Sequence, residues 1–186
     1  MRIFAPKNYR IMHPLDKFAF CPVCGSRAFE IHNVKSKQCR DCGFTYYANP
    51  SSATAAFILN DRDELLVVVR GKEPAKGTLD LPGGFVDMDE TGEEGMIREI
   101  GEETGIAIGQ VHYLFSIPNL YVYSGMTIHT LDMFYRASVD SRVEPMAADD
   151  AADLFWLPLK EVNPERFGLW SIRQGVTKFL AESLRK

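Results

Sequence analysis

The chain has 186 residues, of which 46% are hydrophobic and 25% are charged, and its formal net charge is −4. This composition is ordinary for a globular protein and excludes a disordered, collagenous or coiled-coil chain. There is no apolar run of transmembrane length and no signal-peptide core, so we expect a cytoplasmic protein with no membrane partner. The acidic balance argues against a nucleic-acid partner.

The cysteines divide the chain into three predicted segments, which are an N-terminal arm (1–14), a small cysteine module (15–48) and a larger domain (50–186). All four cysteines lie in the second segment as two C-x-x-C pairs, Cys21 with Cys24 and Cys39 with Cys42. Two such pairs about 15 residues apart are typical of a closed, tetrahedral zinc site. The alternative is a pair of free dithiols or a redox motif, which needs only one C-x-x-C pair.

The larger domain alternates strand and turn signals rather than regular βαβ units. The pattern predicts strands at 52–59, 64–70, 79–86, 111–117, 126–139 and 154–157, of which 79–86 is broken by Pro82-Gly83-Gly84, and helices at 91–104 and 171–185. The first helix has a capping box, Thr91 with Glu94, and a glycine, Gly105, just beyond its end. The fold class is therefore α+β, with a mixed sheet packed between helices.

The first predicted helix carries an unusual concentration of acidic residues. Glu99, Glu102 and Glu103 stand at positions i, i+3 and i+4, so they share one face and repel each other. Divalent cations with a preference for oxygen ligands, Mg²⁺ or Mn²⁺, would relieve this repulsion. Mg²⁺ usually completes its shell with water and substrate phosphates, so the same residues indicate a diphosphate substrate. The alternative is a solvated acidic face.

The stretch 84–106 resembles the Nudix hydrolase signature at every defined position: Gly84-x5-Glu90-x7-Arg98-Glu99-Ile100-x-Glu102-Glu103-x-Gly105-Ile106. The resemblance implies the Nudix fold for residues 50–186, preceded by a zinc ribbon, and Mg²⁺-dependent hydrolysis of a nucleoside diphosphate linked to another group. It implies metal binding by Glu99, Glu102, Glu103 and the Gly83 carbonyl, with Glu99 acting as the base in some members. It gives Gly84, Glu90, Arg98 and Gly105 a structural role, with Glu90 and Arg98 forming a pair.

A zinc ribbon ahead of this domain is similar to NADH pyrophosphatases and to shorter pyrophosphatases acting on ADP-ribose and FAD. The NADH group carries an array after the signature that residues 116–124 match only in part. We therefore expect a small-molecule nucleotide substrate, in the order ADP-ribose, FAD, NADH. Predicted substrate contacts are Arg70, whose alternative is an ordinary surface arginine, and the pocket-rim residues Tyr121 and Tyr123.

A further acid from a downstream loop usually completes such a site, and the candidates are Asp149 and Asp150, with Asp153 third. The alternative is an acidic loop that only aids solubility. We also expect a homodimer, because a short ribbon has little core of its own. The rival functions are a nucleotide-sensing domain without turnover that regulates a partner, and a zinc-ribbon nucleic-acid binder.

Overall fold

The structure, a computed structural model, describes residues 13–123, 125–146 and 151–183, with the backbone alone at Tyr123 and Ala151. The chain divides into two compact units. One comprises residues 1–50 with 120–129, and the other comprises residues 51–119 with 130–186. No helix in the described ranges is long and apolar enough to cross a membrane.

The first unit contains a three-stranded antiparallel sheet formed by β1 (Phe29–Asn33), β2 (Ser36–Cys39) and β3 (Thr45–Tyr47). The β1–β2 register pairs Phe29 with Cys39, and the β2–β3 register pairs Lys37 with Tyr46. Its small core consists of Cys21, Phe29 and Cys39, with Phe44 packed against them. So few apolar residues provide little burial, and the fold needs another source of stability.

The second unit is a mixed sheet with a helix on each face, as predicted. The strands of this sheet are β4 (Ser51–Asn60), β5 (Glu64–Arg70), β6 (Leu79–Asp80), β7 (His112–Tyr123), β8 (Met126–Val139) and β9 (Ala151–Pro158). The end of β7 and the start of β8 belong to residues 120–129, which are counted with the first unit. The hydrogen-bonded order is β6-β5-β4-β8-β7, with β9 paired to β5. β4 and β8 are parallel over their full overlap, and β5 and β9 are antiparallel.

Two apolar clusters lie on opposite faces of this sheet. On one face α1 (Gly92–Thr104) inserts Met96 and Ile100 against residues of β4 and β5. On the other, α2 (Trp170–Ser183) packs Phe179 on Phe57, with ring centroids 4.0 Å apart. The alternation of β4 explains the arrangement, because successive strand residues point to opposite faces. Phe57 faces α2, while its neighbours Ala56 and Ile58 face α1.

The predicted strand 79–86 is interrupted at Pro82-Gly83-Gly84, as expected, but its regular part is shorter than predicted. Only Leu79 and Asp80 form a regular strand, and the following Pro82-Gly83-Gly84 loop hydrogen-bonds to β4 instead. The amide of Ala56 donates to the Pro82 carbonyl at 2.9 Å, and the amide of Thr54 donates to the Gly84 carbonyl at 2.8 Å. This segment therefore lies between β5 and β4, because it bonds first to one strand and then to the other.

Other boundaries also differ from the prediction. β7 runs on to Tyr123 instead of ending at 117, and β9 begins at Ala151, so the end of the predicted acidic loop is strand. The second helix begins at Trp170. Pairing with β5 accounts for the longer β9, because the register continues from Glu64 opposite Pro158 to Arg70 opposite Ala151.

Candidate active site and metal centre

α1 begins with the predicted capping box. The Thr91 side chain accepts a hydrogen bond from the Glu94 amide at 3.2 Å, and the Glu94 carboxylate accepts one from the Thr91 amide at 2.7 Å. At the other end Gly105 has a φ of 67° and bonds back to Gly101. These caps satisfy backbone groups that would otherwise lack partners, so the local sequence fixes both ends of the helix.

The glycines of α1 have different roles. A Cβ at Gly95 would lie 2.8 Å from the Glu90 carboxylate, so this glycine allows the acidic side chain to reach the helix. A Cβ at Gly101 would meet nothing within 4 Å. Gly95 therefore lowers the helix propensity but leaves room for the Glu90 side chain. No packing contact explains the glycine at position 101.

The Pro82-Gly83-Gly84 loop contacts two of the predicted metal ligands directly. The amide of Gly83 donates to the Glu103 carboxylate at 2.9 Å. The Glu99 carboxylate packs against Gly84, where a Cβ would lie 2.5 Å from the carboxyl carbon. Gly83 itself has a φ of 157°, and a Cβ there would lie 2.8 Å from the Cα of Ala55. Glycine is therefore required at Gly83, where a Cβ would meet backbone, whereas a Cβ at Gly84 would displace the Glu99 carboxylate.

Arg98 links the acidic residues of this region. Its Nη2 donates to Glu90 at 2.6 Å, and its Nη1 donates to Glu99 at 2.9 Å and to Glu102 at 3.0 Å. Nη2 also donates to the carbonyl of Phe85 at 3.0 Å. Hydrogen bonding to Arg98 holds the pKa of Glu90 below its usual range. The guanidinium thus ties the loop after Gly84 to α1.

Glu99 and Glu102 share one guanidinium nitrogen, so their oxygens point to a common region of space. Carboxylate oxygens are the ligands that Mg²⁺ and Mn²⁺ prefer, so the donor chemistry fits these ions. A cation near Glu99 and Glu102 would take over charge neutralisation that Arg98 supplies here. The roles of Glu99, Glu102, Glu103 and the Gly83 carbonyl as metal ligands stay predictions.

The four cysteines form a compact cluster, with all Sγ atoms within 4.8 Å of one another. It is the only group of three or more candidate ligand residues this close in the described part of the chain. Cys21 and Cys42 have their sulfurs 3.7 Å apart, and Cys24 and Cys39 have theirs 3.6 Å apart. A regular tetrahedron with Zn–S bonds of about 2.3 Å has S–S edges of about 3.8 Å. The sulfur positions therefore suit zinc.

Backbone amides shape this cluster. Gly25 and Gly43 have φ values of 74° and 76°, and their amides bond back to the Cys21 and Cys39 carbonyls at 2.9 and 3.0 Å. Hydrogen bonds from the backbone of Cys42 and then of Asp41 lower the pKa of Cys39 to about 7. Cys39 therefore loses its proton more readily than an ordinary cysteine, while the pKa of its neighbour Cys24 is raised, and zinc binds the thiolate form.

Arg70, the predicted phosphate contact, lies at the end of β5, and its guanidinium is engaged within the protein. It forms an ion pair with Asp80, and its Nε donates to the Pro74 carbonyl at 2.7 Å. Asp80 is buried, and burial raises its pKa, an effect that the Arg70 charge opposes. Sequence reasoning missed Asp80, although an acid between two core leucines, Leu79 and Leu81, is a recognisable signal.

A second buried acid was also missed. Asp132 in β8 accepts hydrogen bonds from Thr130 at 2.5 Å and from Asn119 at 3.0 Å. Asp132 raises the pKa of Asp80 as a minor cause, so the two carboxylates lie within electrostatic range. An acidic residue in the middle of the predicted strand 126–139 was the available signal.

The remaining predicted residues are distributed as follows. Tyr121 is half-buried in β7, and only the backbone of Tyr123 is described. Asp149 and Asp150 lie outside the described residues. Asp153, the third downstream candidate, is exposed in β9 opposite Val69.

Comparison with protein families and known proteins gives a consistent result. A family model described as NUDIX domain matches residues 49–178. Over 160 residues the chain is 26% identical to a Vibrio cholerae protein named NAD-capped RNA hydrolase NudC, which covers 86% of this chain and 56% of that protein. The chain spans about half the length of the curated relatives it matches.

Solved structures share the fold. A NUDIX hydrolase from Nitrosomonas europaea superposes with a TM-score of 0.68 at 19% identity, covering 89% of this chain and 92% of that one. A bifunctional NMN adenylyltransferase/ADP ribose pyrophosphatase from Francisella tularensis, complexed with AMP and a manganese ion, superposes with a TM-score of 0.57 at 27% identity. That match covers 73% of this chain and 42% of the other.

Proposed function

The chain belongs to the NUDIX domain family, and we propose that it is a metal-dependent pyrophosphohydrolase of nucleoside diphosphate derivatives. The observation that carries the proposal is the anchoring of α1 carboxylates to the glycine loop, with Glu103 on the Gly83 amide and Glu99 against Gly84. Reactions of this kind depend on placing charges around a diphosphate, and this region supplies fixed carboxylates for the cations that such a substrate requires.

Glu99, Glu102 and Glu103 would hold Mg²⁺ or Mn²⁺. The bound cation would neutralise the diphosphate and make water a better nucleophile. Glu103 is oriented by the Gly83 amide, and Glu99 and Glu102 are oriented by Arg98. These contacts organise the carboxylates before substrate binds, which lowers the reorganisation needed in the transition state.

The bond changes follow from hydrolysis of an anhydride. A carboxylate, from Glu99 or from the downstream acids Asp149 and Asp150, accepts a proton from the attacking water. The water oxygen forms a bond to one phosphorus as the bond from that phosphorus to the bridging oxygen breaks. The bridging oxygen leaves with the second phosphate, so two monophosphates result.

For the substrate we propose ADP-ribose first, then FAD and NADH. The Francisella protein is named an ADP ribose pyrophosphatase, which supports this order. The Vibrio relative is named for NAD-capped RNA, so an RNA whose 5′ end carries NAD belongs in the test even though the overall charge is −4.

We further propose that the cysteine cluster holds one structural zinc ion. The sulfur separations and the small ribbon core support this assignment. Four thiolates fill a tetrahedral shell and leave no open position, so this ion would have no direct part in hydrolysis.

The decisive experiment incubates the purified chain with ADP-ribose, FAD, NADH, NAD, nucleoside triphosphates and an NAD-capped oligonucleotide, with Mg²⁺, with Mn²⁺ and after chelation. We expect ADP-ribose to give AMP and ribose 5-phosphate with the highest kcat/KM, and no product after chelation. Tight binding of a nucleotide by calorimetry, without turnover of any compound, would instead identify a nucleotide-sensing domain.

A further inference from the structure

Arg70 and Asp80 form an ion pair at the point where the chain enters the Pro82-Gly83-Gly84 loop. Their side chains are only 17% and 10% exposed. One oxygen of Asp80 accepts from Arg70, and the other accepts from the Leu81 amide at 2.9 Å. Both carboxylate oxygens of Asp80 therefore accept hydrogen bonds, one from Arg70 on the neighbouring strand and one from the backbone at the start of the loop.

Arg70 is held equally firmly. Its Nε donates to the Pro74 carbonyl at 2.7 Å, its amide donates to the Thr78 carbonyl at 3.0 Å, and its carbonyl accepts from the Gly77 amide at 2.9 Å. These contacts place the guanidinium between the 71–77 loop and β6. A guanidinium with this geometry is fixed by several partners at once, which distinguishes it from a mobile surface arginine.

The next three residues connect the ion pair to the candidate metal ligands. Asp80 is followed by Leu81, which is buried, and by Pro82, whose carbonyl accepts from Ala56 in β4. Gly83 comes next and donates to Glu103. Because proline fixes its own φ and Leu81 is packed in the core, this short segment has little freedom to absorb a shift of Asp80.

We propose that Arg70 and Asp80 are positioning residues that set the location of the Gly83 amide, and through it the orientation of the Glu103 carboxylate. This inference rests on the proposed function of Glu103 as a ligand of the catalytic cation. It reassigns Arg70 from a contact with the substrate phosphate to a support of the loop.

Energetics favour a geometric role over a purely stabilising one. Removing two charges from water is costly, and a well-packed apolar pair often gives equal or greater stability. The pKa of Asp80 lies above its usual range because of burial, although Arg70 opposes the rise. Burying the Arg70–Asp80 pair costs free energy, yet the pair forms hydrogen bonds to three neighbouring segments. Its main effect is therefore to fix the position of these segments rather than to stabilise the fold.

The test compares Asp80→Asn, Arg70→Ala and the double variant with wild type. Asparagine keeps an oxygen for the Leu81 amide and removes the charge. We expect each single variant to lower kcat about tenfold with KM changed less than about twofold. The double variant should be no slower than the worse single variant, because residues that act as one unit are not additive. The matched control is Asp140→Asn, which breaks an exposed ion pair with Arg142 and should leave kcat unchanged.

Two further readouts do not depend on turnover. Amide hydrogen exchange of Leu81, Gly83 and Gly84 should accelerate at least about fivefold in Asp80→Asn, while exchange in β8 and α2 stays at wild-type rates. Mn²⁺ affinity, measured by paramagnetic resonance, should weaken about tenfold. If all segments exchange faster, the pair is only structural, and the proposal fails. Arg70→Lys provides a milder variant should Asp80→Asn not fold, and it should weaken Mn²⁺ binding in the same direction.

Other outcomes also decide the matter. A rise in KM for Arg70→Ala alone, with Asp80→Asn at wild-type activity, would show that Arg70 contacts substrate and would overturn the proposal. Additive losses in the double variant would do the same. If wild type hydrolyses no compound of the panel, the proposed function fails, and exchange at Leu81, Gly83 and Gly84 with Mn²⁺ affinity still determines whether the pair positions the loop.

Discussion

The two candidate metal regions of this protein are organised in opposite ways. In the ribbon, four sulfurs already lie within 4.8 Å of one another, next to turns with glycines at positive φ. On α1, the carboxylates are held by contacts with other groups, Glu103 by the Gly83 amide and Glu99 and Glu102 by Arg98. The cysteine cluster offers four ligands without any contribution from a substrate. The α1 carboxylates, in contrast, are held by hydrogen bonds that a cation could replace.

This contrast corresponds to two uses of a metal ion. A structural ion should be enclosed, so the protein supplies every ligand from short stretches of chain. A catalytic ion must also accept substrate oxygens, so the protein supplies only part of the shell and needs an alternative counter-charge when the ion is absent. Arg98 has four carboxylates within 4 Å, so it would have that alternative role at the proposed cation site.

Removing one thiolate should give the largest effect and tests whether the cysteine cluster is a structural metal site. We expect Cys39→Ser to lose the one zinc ion bound per chain and to unfold the ribbon. The reason is that structural zinc supplies an apparent binding free energy of about 10–16 kcal/mol to such modules. Amide exchange in β1–β3 should become fast, while the second unit keeps its melting temperature. Zinc analysis by mass spectrometry provides the check, and Glu30→Gln, on the same ribbon, should keep the metal. Retention of full zinc content by Cys39→Ser would contradict the assignment.

The next effect is on turnover. Glu103→Gln should reduce kcat about 100-fold or more, corresponding to about 3 kcal/mol, because it removes a charge that stabilises the transition state. Folding should survive, since glutamine is a good helix former. Steady-state kinetics at saturating Mg²⁺ measure the loss, and Glu93→Gln, exposed on the same helix, is the control. A wild-type rate for Glu103→Gln would show that Glu103 is not a ligand of the catalytic cation. Glu102→Gln should reduce kcat as Glu103→Gln does.

A smaller effect concerns the downstream acids. We expect Asp149→Ala or Asp150→Ala to lower kcat about tenfold and to raise KM less, because a base acts mainly in the transition state. Asp153→Asn tests the third candidate, which is exposed in β9. Kinetics between pH 6 and pH 9 discriminate the three acids. If the double variant of Asp149 and Asp150 keeps wild-type kcat over that range, these two residues have no catalytic role.

The smallest expected effect is the response of stability to acid. Hydrogen bonding to Arg98 lowers the pKa of Glu90 in the folded state, so this carboxylate stabilises the fold above its unfolded pKa of about 4.3. That contribution should be lost as the pH falls further through the lowered folded value. Urea unfolding between pH 6 and pH 3 measures it, and Glu90→Gln should give a shallower pH dependence. Equal slopes for Glu90→Gln and wild type would show that the pair contributes nothing to the acid response.

Short-range features were predictable from the sequence. The capping box of α1, its terminal Gly105 and the spacing of the cysteine pairs involve residues a few positions apart, so backbone geometry alone determines them. The mixed sheet between two helices also followed from the order of strand and helix signals. The ends of β7 and β9 did not, because cross-strand pairing, rather than local propensity, extends them.

The contacts that join distant parts of the chain depend on the folded structure. Thr54 and Gly84 are 30 positions apart, and Gly83 and Glu103 are 20 apart, yet these pairs fix the loop of the candidate site. Likewise, no local pattern shows that Arg70 is committed to Asp80 or Asn119 to Asp132. The candidate metal-binding side chains were recognisable without a structure, since ligand chemistry depends on residue type and spacing. Their orientation depends on burial and on partners that come together only when the sheet forms.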